Sequence, residues 1–109
     1  MRYMSDNEGN ALSNNNCEFL ATLEGIIQNR LSNPVAGSYT NSLLAAGPKR
    51  MAQKVGEEGV ELAIAAVTGE RDEMLNEAAD LLYHMLVLLS SQHITLNEVS
   101  ATLEARHAD

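Results

Sequence analysis

Apolar residues recur every three or four positions along most of the chain, and this spacing predicts helices. The first such run follows Asn16, which we expect to act as its N-cap. The helix should end near Ser32, because Asn33 precedes Pro34 and is disfavoured in the α conformation. Its apolar positions are Phe19, Leu20, Leu23, Ile26, Ile27 and Leu31. No segment of the sequence has the apolar and polar alternation typical of a strand, so the pattern predicts an all-α fold.

Capping and turn residues predict four further helices. Pro48 suits the first position of a helix, where its missing N–H would have no partner in any case. Gly69 suits the C-terminal end of the same helix. The predicted elements are a short helix capped by Ser38 and ending near Gly47, a helix from Pro48 to about Thr68, a helix from about Asp72 to Gln92, and a last helix opened by the capping-box pair Thr95 and Glu98.

Length and composition indicate a single small domain. The chain has 109 residues, enough for one compact domain with a modest core. Residues 1–16 are rich in Asn, Ser, Asp and Gly, and we expect them to form a disordered tail in front of an all-α domain over residues 17–109. The helices are apolar around most of their circumference, more than a small monomer can cover. We therefore expect a helical bundle completed by dimerisation, most simply a homodimer.

Charge and cysteine content narrow the class of protein. The formal net charge of −8 repels phosphate backbones, so we expect no non-specific binding of nucleic acid. A small phosphorylated substrate would need bound metal or grouped basic residues. Cys17 is the single cysteine and cannot form an intramolecular disulfide. The longest apolar stretch, residues 85–89, is too short for a membrane span, so we expect a cytoplasmic protein that does not enter membranes.

Two pairs of carboxylates suggest a metal site. Glu58 and Glu61 lie one turn apart on the second long helix, and Glu77 and Asp80 lie one turn apart on the third. If these helices form an antiparallel hairpin around Gly69, the two pairs face each other. Grouped carboxylate oxygens suit a hard cation such as Mg²⁺.

The alternative interpretation is that these acids form a solvated helix face. Against it, like-charged neighbours at this spacing destabilise a free helix by about 0.2 to 0.5 kcal/mol per pair. Apolar positions also flank the acids on both helices, and a carboxylate cluster beside a core is costly unless a cation compensates it.

Basic residues precede the acids on the second long helix. Lys49 and Arg50 lie near its N-terminus, where the helix dipole also favours anions, and they are candidates for binding phosphate. Lys54 is a third candidate, but its spacing to Glu58 equally suits a structural ion pair.

Other polar residues give weaker indications. Glu104 and His107 have the ExxH spacing of di-iron bundles, without the partner motif that such sites need. We expect His84 to be a partly buried, hydrogen-bonded histidine, and Tyr83 to pack or to contact substrate.

Two longer motifs resemble a known family. The segment 47–61, GPKRMAQKVGEEGVE, and the segment 76–84, NEAADLLYH, are similar to the signature of phosphoribosyl-ATP pyrophosphohydrolases. The upstream residues 38–40, SYT, also fit. The resemblance covers residues 19–107, and its EExxE and ExxD motifs are shared by the wider all-α nucleotide pyrophosphohydrolase superfamily.

The resemblance implies a reaction and roles for the residues. Members of the family are helical, dimeric or larger, magnesium-dependent enzymes that hydrolyse 1-(5-phosphoribosyl)-ATP to 1-(5-phosphoribosyl)-AMP and pyrophosphate in histidine biosynthesis. One or two Mg²⁺ ions would be held by Glu58, Glu61, Glu77 and Asp80. Glu57 would orient or deprotonate the attacking water, and the phosphates would be bound by Lys49, Arg50 and Lys54.

Nothing in the sequence resembles the zinc cyclohydrolase to which some relatives are fused, so we expect a stand-alone pyrophosphohydrolase.

Three other hypotheses stay open on the sequence. The alternatives are a housecleaning enzyme that hydrolyses non-canonical nucleoside triphosphates at the same metal site, a non-catalytic helical dimerisation module, and a di-iron carboxylate protein.

Overall fold

The structure is a computed structural model that describes residues 7–108, with side chains from residue 17 onward. Within these residues it has five helices and no strand, which confirms the all-α prediction. The helices are α1 (Asn7–Ser32), α2 (Tyr39–Ala46), α3 (Pro48–Thr68), α4 (Arg71–Ser91) and α5 (Leu96–Arg106). None of them is both long enough and apolar enough to cross a bilayer.

Helix α1 starts earlier than the sequence predicts. It begins at Asn7, so Asn16 lies inside the helix and the prediction that Asn16 is its N-cap is wrong. Asn and Ser favour caps and turns, but their cost inside a helix is small and does not by itself end one. The first six residues of the expected tail lie outside the described residues, and its disorder stays a prediction. The end of α1 at Ser32 is confirmed.

The caps predicted for the later helices are present. The Ser38 hydroxyl accepts a hydrogen bond from the Asn41 amide at 3.1 Å and caps α2. Pro48 is the first residue of α3, as its missing N–H predicts. Thr95 and Glu98 form the capping box of α5, because each side chain accepts a hydrogen bond from the other's backbone N–H. These local contacts fix where each helix begins.

A two-residue connection joins α3 to α4. Gly69 ends α3 in the left-handed conformation, with φ at 80°, and its N–H donates to the Ala65 carbonyl at 3.0 Å. Glycine adopts this conformation without the steric penalty of a Cβ atom. Helices α3 and α4 then pack against each other more extensively than any other pair of described helices. The two acidic segments therefore lie on neighbouring helices.

The buried core is small and lies where α1, α2, α3 and α4 meet. Its fully or almost fully buried apolar residues are Ile27, Leu43, Met51, Leu86 and Val87. Other large apolar side chains on α3 stay exposed, among them Val60, Ile64 and Val67, which is 87% exposed. They follow one another at helical spacing and form an apolar strip on the outer surface of α3. The core thus supports one side of α3 only.

Candidate metal and phosphate site

Three carboxylates from α3 and α4 converge on one point. Glu58, Glu77 and Asp80 each offer one oxygen, and these oxygens all lie within 4.8 Å of one another. Glu58 is buried, Glu77 is half-buried and Asp80 is exposed, so the group spans from the core to solvent. A single hard cation could contact all three oxygens after small side-chain adjustments.

Glu77 carries the clearest sign that these carboxylates could bind a cation. Its Oε1 atom is buried and has no hydrogen-bond partner in the described part of the chain. Its pKa is raised, first by partial burial and then by the negative charges of Glu61, Asp80 and Glu58. A buried oxygen without a partner is costly, and a positive ion would satisfy it and relieve the repulsion between the acids. The residues present therefore fit a metal ion.

Glu61, the fourth predicted ligand, lies beside this group but is not one of the three converging carboxylates. It is exposed, and its negative charge acts on Glu77. The two side chains line a cavity of about 160 Å³ together with Ile64, Ala65 and Glu73. Glu61 is therefore near enough to interact with Glu77, while its role as a ligand stays a prediction.

Lys54 is paired with the acids of its own helix. Its Nζ atom lies 3.3 Å from Glu58 Oε2 and 3.6 Å from Glu57 Oε1. The hydrogen bond with Glu58 is the main cause of the raised pKa of Lys54, and it outweighs the desolvation that acts in the opposite direction. The structural ion pair anticipated from the spacing is thus present. It also holds a positive charge next to the converging carboxylates.

Glu57, the predicted base, directly precedes Glu58 on α3, and its side chain is exposed. Gln53 Nε2 donates a hydrogen bond to Glu57 Oε2 at 2.9 Å, which orients the carboxylate. Lys49 and Arg50 are both exposed in the first turn of α3, and neither forms an ion pair with a described carboxylate. Their side chains are accessible to an anionic ligand.

A hydrogen-bonded group of aromatic residues connects α2 to α4 next to the carboxylates. His84 is buried, and its Nδ1 lies 2.7 Å from the backbone oxygen of Asp80. The Tyr39 hydroxyl lies 3.1 Å from His84 Nε2, and the hydroxyls of Thr40 and Tyr83 are hydrogen-bonded to each other. The expectation of a hydrogen-bonded His84 is confirmed, and the His84 side chain is more deeply buried than expected.

The sequence of this protein matches a family over nearly all of the described helices. Residues 20–107 match the family described as phosphoribosyl-ATP pyrophosphohydrolase. The chain belongs to the phosphoribosyl-ATP pyrophosphohydrolase family. The acidic and basic motifs that suggested the resemblance lie within the matched residues.

Curated relatives of this family member are named histidine biosynthesis bifunctional protein HisIE. The relative from Shewanella oneidensis is 50% identical over 96 residues, which cover 88% of this chain and 46% of the relative. The relative from Vibrio cholerae is 46% identical over 100 residues, covering 92% of this chain and 48% of the relative. The relative from Yersinia pestis is 52% identical over 89 residues, covering 82% of this chain and 44% of the relative. The chain spans about half the length of the curated relatives it matches.

For a member of the phosphoribosyl-ATP pyrophosphohydrolase family, a metal cofactor is expected, and the three converging carboxylates could bind one. The ExxH pair at the C-terminal end of α5, Glu104 and the C-cap His107, is not part of this group. His107 is exposed, and its Nδ1 donates to the Leu103 carbonyl at 2.8 Å. No carboxylate cluster with the histidines of a di-iron site is found in the part of the chain that the structure describes.

Sequence reasoning gave Tyr39 and Thr40 no role, although their segment was part of the family resemblance. Tyr39 is separated from His84 by 45 residues, so no local spacing indicates their contact. The only local signal was the four-residue spacing between Asp80 and His84, which places the imidazole over the Asp80 carbonyl.

Proposed function

We propose that this protein hydrolyses 1-(5-phosphoribosyl)-ATP to 1-(5-phosphoribosyl)-AMP and pyrophosphate, the second step of histidine biosynthesis, with Mg²⁺ as cofactor. The observation that carries the proposal is the convergence of Glu58, Glu77 and Asp80 within 4.8 Å, in a chain of the phosphoribosyl-ATP pyrophosphohydrolase family. An enzyme of amino-acid biosynthesis that acts on a nucleotide is expected to work in the cytoplasm.

The carboxylates would hold the metal from two sides. Glu58 on α3 and Glu77 with Asp80 on α4 supply the converging oxygens, and Glu61 adds a fourth acid beside Glu77. When bound, Mg²⁺ neutralises phosphate charge and lowers the pKa of a water molecule. Because the ligands come from both helices, the packing of α3 against α4 sets the position of the site.

The remaining polar residues of α3 have roles that follow from their positions. Glu57 is the candidate base, since Gln53 orients its carboxylate while leaving it exposed to solvent and able to accept a proton from water. Lys49 and Arg50 would bind the phosphates from the first turn of α3. Lys54 would bind a phosphate oxygen by exchanging part of its contact with Glu57 and Glu58 for the substrate.

The first test is a hydrolysis assay on the purified chain. Pyrophosphate release should be measured with phosphoribosyl-ATP and with a panel of canonical and non-canonical nucleoside triphosphates, each with Mg²⁺ or with a chelator. We expect release from phosphoribosyl-ATP that requires Mg²⁺ and exceeds release from every other nucleotide in kcat/KM. A preference for a non-canonical nucleotide would indicate a housecleaning enzyme, and no hydrolysis of any nucleotide would contradict the proposal.

The proposal extends to how the helices assemble. Helices α3 and α4 would run antiparallel across the Gly69 turn within the catalytic domain of residues 17–109. The apolar strip on α3 would be buried against a second copy. Val60 and Ile64 of this strip, each more than half exposed, also line an open groove of about 610 Å³. Burying such a surface is favourable by about 25 cal/mol per Å², and a symmetric dimer would cover it in both copies.

Light scattering tests the dimer. We expect the wild-type protein to have twice the mass of the 11.8 kDa chain at micromolar concentration, because the apolar strip is covered by its counterpart. The Ile64→Lys variant should shift toward the monomer, since it places a charge in the contact. Leu103→Lys on α5 is the matched control, because Leu103 is 50% exposed outside the strip. A fully active wild-type monomer would show that dimerisation is not required.

A further inference from the structure

Tyr39 is an aromatic residue that does not pack into the buried core. It is the first residue of α2, and it is 52% exposed although it is one of the largest side chains of the domain. Tyr83, its neighbour in space, is by contrast partly buried and packed against the core. Contacts outside the core hold Tyr39 in place, and they determine which part of its side chain a ligand can reach.

The hydroxyl of Tyr39 is hydrogen-bonded to the buried His84. The Asp80 carbonyl can only accept a hydrogen bond, so the proton between it and His84 belongs to Nδ1. In the neutral imidazole Nε2 is then the acceptor, and the Tyr39 hydroxyl donates its proton to Nε2 over 3.1 Å. In that arrangement the hydroxyl has no proton left for a phosphate oxygen.

The ring of Tyr39 is backed by other aromatic groups. The Tyr83 ring stacks beside it, with centroids 6.2 Å apart and an angle of 23° between the planes. The His84 ring meets it edge-on at 5.9 Å. The hydrogen bond between Tyr83 and Thr40 fixes Tyr83 in turn. These contacts hold the Tyr39 ring in place and leave about half of the residue's surface, 52%, in solvent.

This ring lies at the edge of the candidate metal site. One imidazole connects its hydroxyl to the backbone of Asp80, which is one of the three converging carboxylate residues. Tyr39 is also close enough to Lys54 to contribute to the raised pKa of Lys54, after the hydrogen bond that Lys54 donates to Glu58. When the phosphates of a nucleotide lie at the carboxylates, its ribose separates the base from them, so the base lies at the edge of the site.

We propose that the exposed ring of Tyr39 stacks against the aromatic base of the nucleotide while its phosphates occupy the carboxylate site, with His84 and Tyr83 acting as positioning residues. The inference rests on the proposed function, and it adds a substrate-contacting residue that binds by stacking and not by hydrogen bonding. Stacking tolerates different bases, because each base has a π-face. The ring therefore contributes affinity for a nucleotide over a polyphosphate without a base.

Replacing Tyr39 by leucine tests the stacking. We expect the KM for phosphoribosyl-ATP to rise about 5- to 150-fold with little change in kcat, as for the loss of a contact present in both ground and transition states. The inhibition constant of tripolyphosphate, which has no base, should stay as in the wild type. Phe19→Leu is the matched control, since Phe19 is a 55% exposed ring on α1 and its loss should leave the KM unchanged. Tyr39→Phe keeps the ring but loses the bond to His84, and its KM should lie between those of the wild type and Tyr39→Leu.

A tryptophan at the same position gives a direct readout. The chain has no Trp, so Tyr39→Trp introduces a single fluorophore at the proposed contact. Its fluorescence should be quenched by Mg²⁺ with ATP and not by Mg²⁺ with tripolyphosphate. Quenching by neither ligand while both bind, measured by calorimetry, would overturn the proposal.

The remaining outcomes are equally decisive. A folded Tyr39→Leu protein with unchanged KM would exclude the stacking, and so would equal weakening of substrate and tripolyphosphate. If the wild type released no pyrophosphate from any nucleotide, the proposed function would fail. The stacking would then stand or fall on calorimetric binding of Mg²⁺ with ATP to the wild type and to Tyr39→Leu, and no difference between them would exclude it.

Discussion

Replacing Glu77 with glutamine should reduce magnesium-dependent pyrophosphate release by about 100-fold or more, because a bound metal contributes several kcal/mol to such a reaction. Glutamine keeps the size of the side chain and an oxygen, but it removes a negative charge from the converging carboxylates. The metal-free protein should stay folded, and it should gain stability, since the buried Oε1 of Glu77 has no described partner and the neighbouring acids repel it. Steady-state kinetics and denaturation in the presence of a chelator measure the two effects.

The stability of the metal-free variant should also depend less on pH. The pKa of Glu77 is raised by partial burial and by Glu61, Asp80 and Glu58. The folded state therefore binds this proton more tightly than the unfolded state, and the wild type should become more stable as the pH is lowered from neutral through that raised pKa toward the ordinary carboxyl range. Glu77→Gln should lack this contribution.

The control for both effects is Glu104→Gln, which removes one exposed acid from α5. It should leave turnover and magnesium dependence as in the wild type. Near-normal turnover of Glu77→Gln would show that Glu77 is not a ligand, and a large loss in Glu104→Gln would instead favour a role for the ExxH pair.

Replacing Leu86 with alanine should lower the free energy of unfolding by about 2 to 5 kcal/mol. Leu86 is 2% exposed and belongs to the small core, so truncation leaves a cavity that few neighbours can fill. A domain of this size has only about 5 to 15 kcal/mol of total stability, and much of the variant could therefore be unfolded at physiological temperature. Urea denaturation of the metal-free protein, followed by circular dichroism, measures the change.

Leu103→Ala on α5 makes the same chemical change at a half-exposed position and should have little effect. Mg²⁺ with substrate should raise the apparent stability of Leu86→Ala by binding only the folded state. If both leucines had equal effects, the core would not lie where α4 meets α1, α2 and α3.

The elements of the fold that sequence reasoning predicted are those with local signals. The start of α3 at Pro48, its end before Gly69 and the capping box of α5 each depend on contacts within four residues, and all are confirmed. The family could also be predicted from the sequence, because its motifs combine acidic and basic residues at fixed spacing. The family match confirms this prediction. The start of α1 was missed, since the polar residues before Cys17 disfavour a helix too weakly to prevent one.

The candidate site was predictable in its chemistry but not in its detailed contacts. Helical periodicity placed Glu58 opposite Glu77 and Asp80, and these three do converge. Periodicity could not show that Glu61 lies beside the group, because that depends on how α3 and α4 are rotated against each other. It also could not show the contact between Tyr39 and His84, which requires α2 to pack near α4. Contacts between distant segments depend on tertiary packing, which a single sequence does not reveal.

The two-residue turn between α3 and α4 has a consequence for folding kinetics. Gly69 and Glu70 close the connection at little entropic cost, and the most extensive contact between described helices forms between segments adjacent in the chain. Contacts that are local in sequence form faster than distant ones. Glu58 and Asp80 can thus be brought together before α1 and α2 complete the core, so the nascent protein can assemble its group of carboxylates at an early stage of folding.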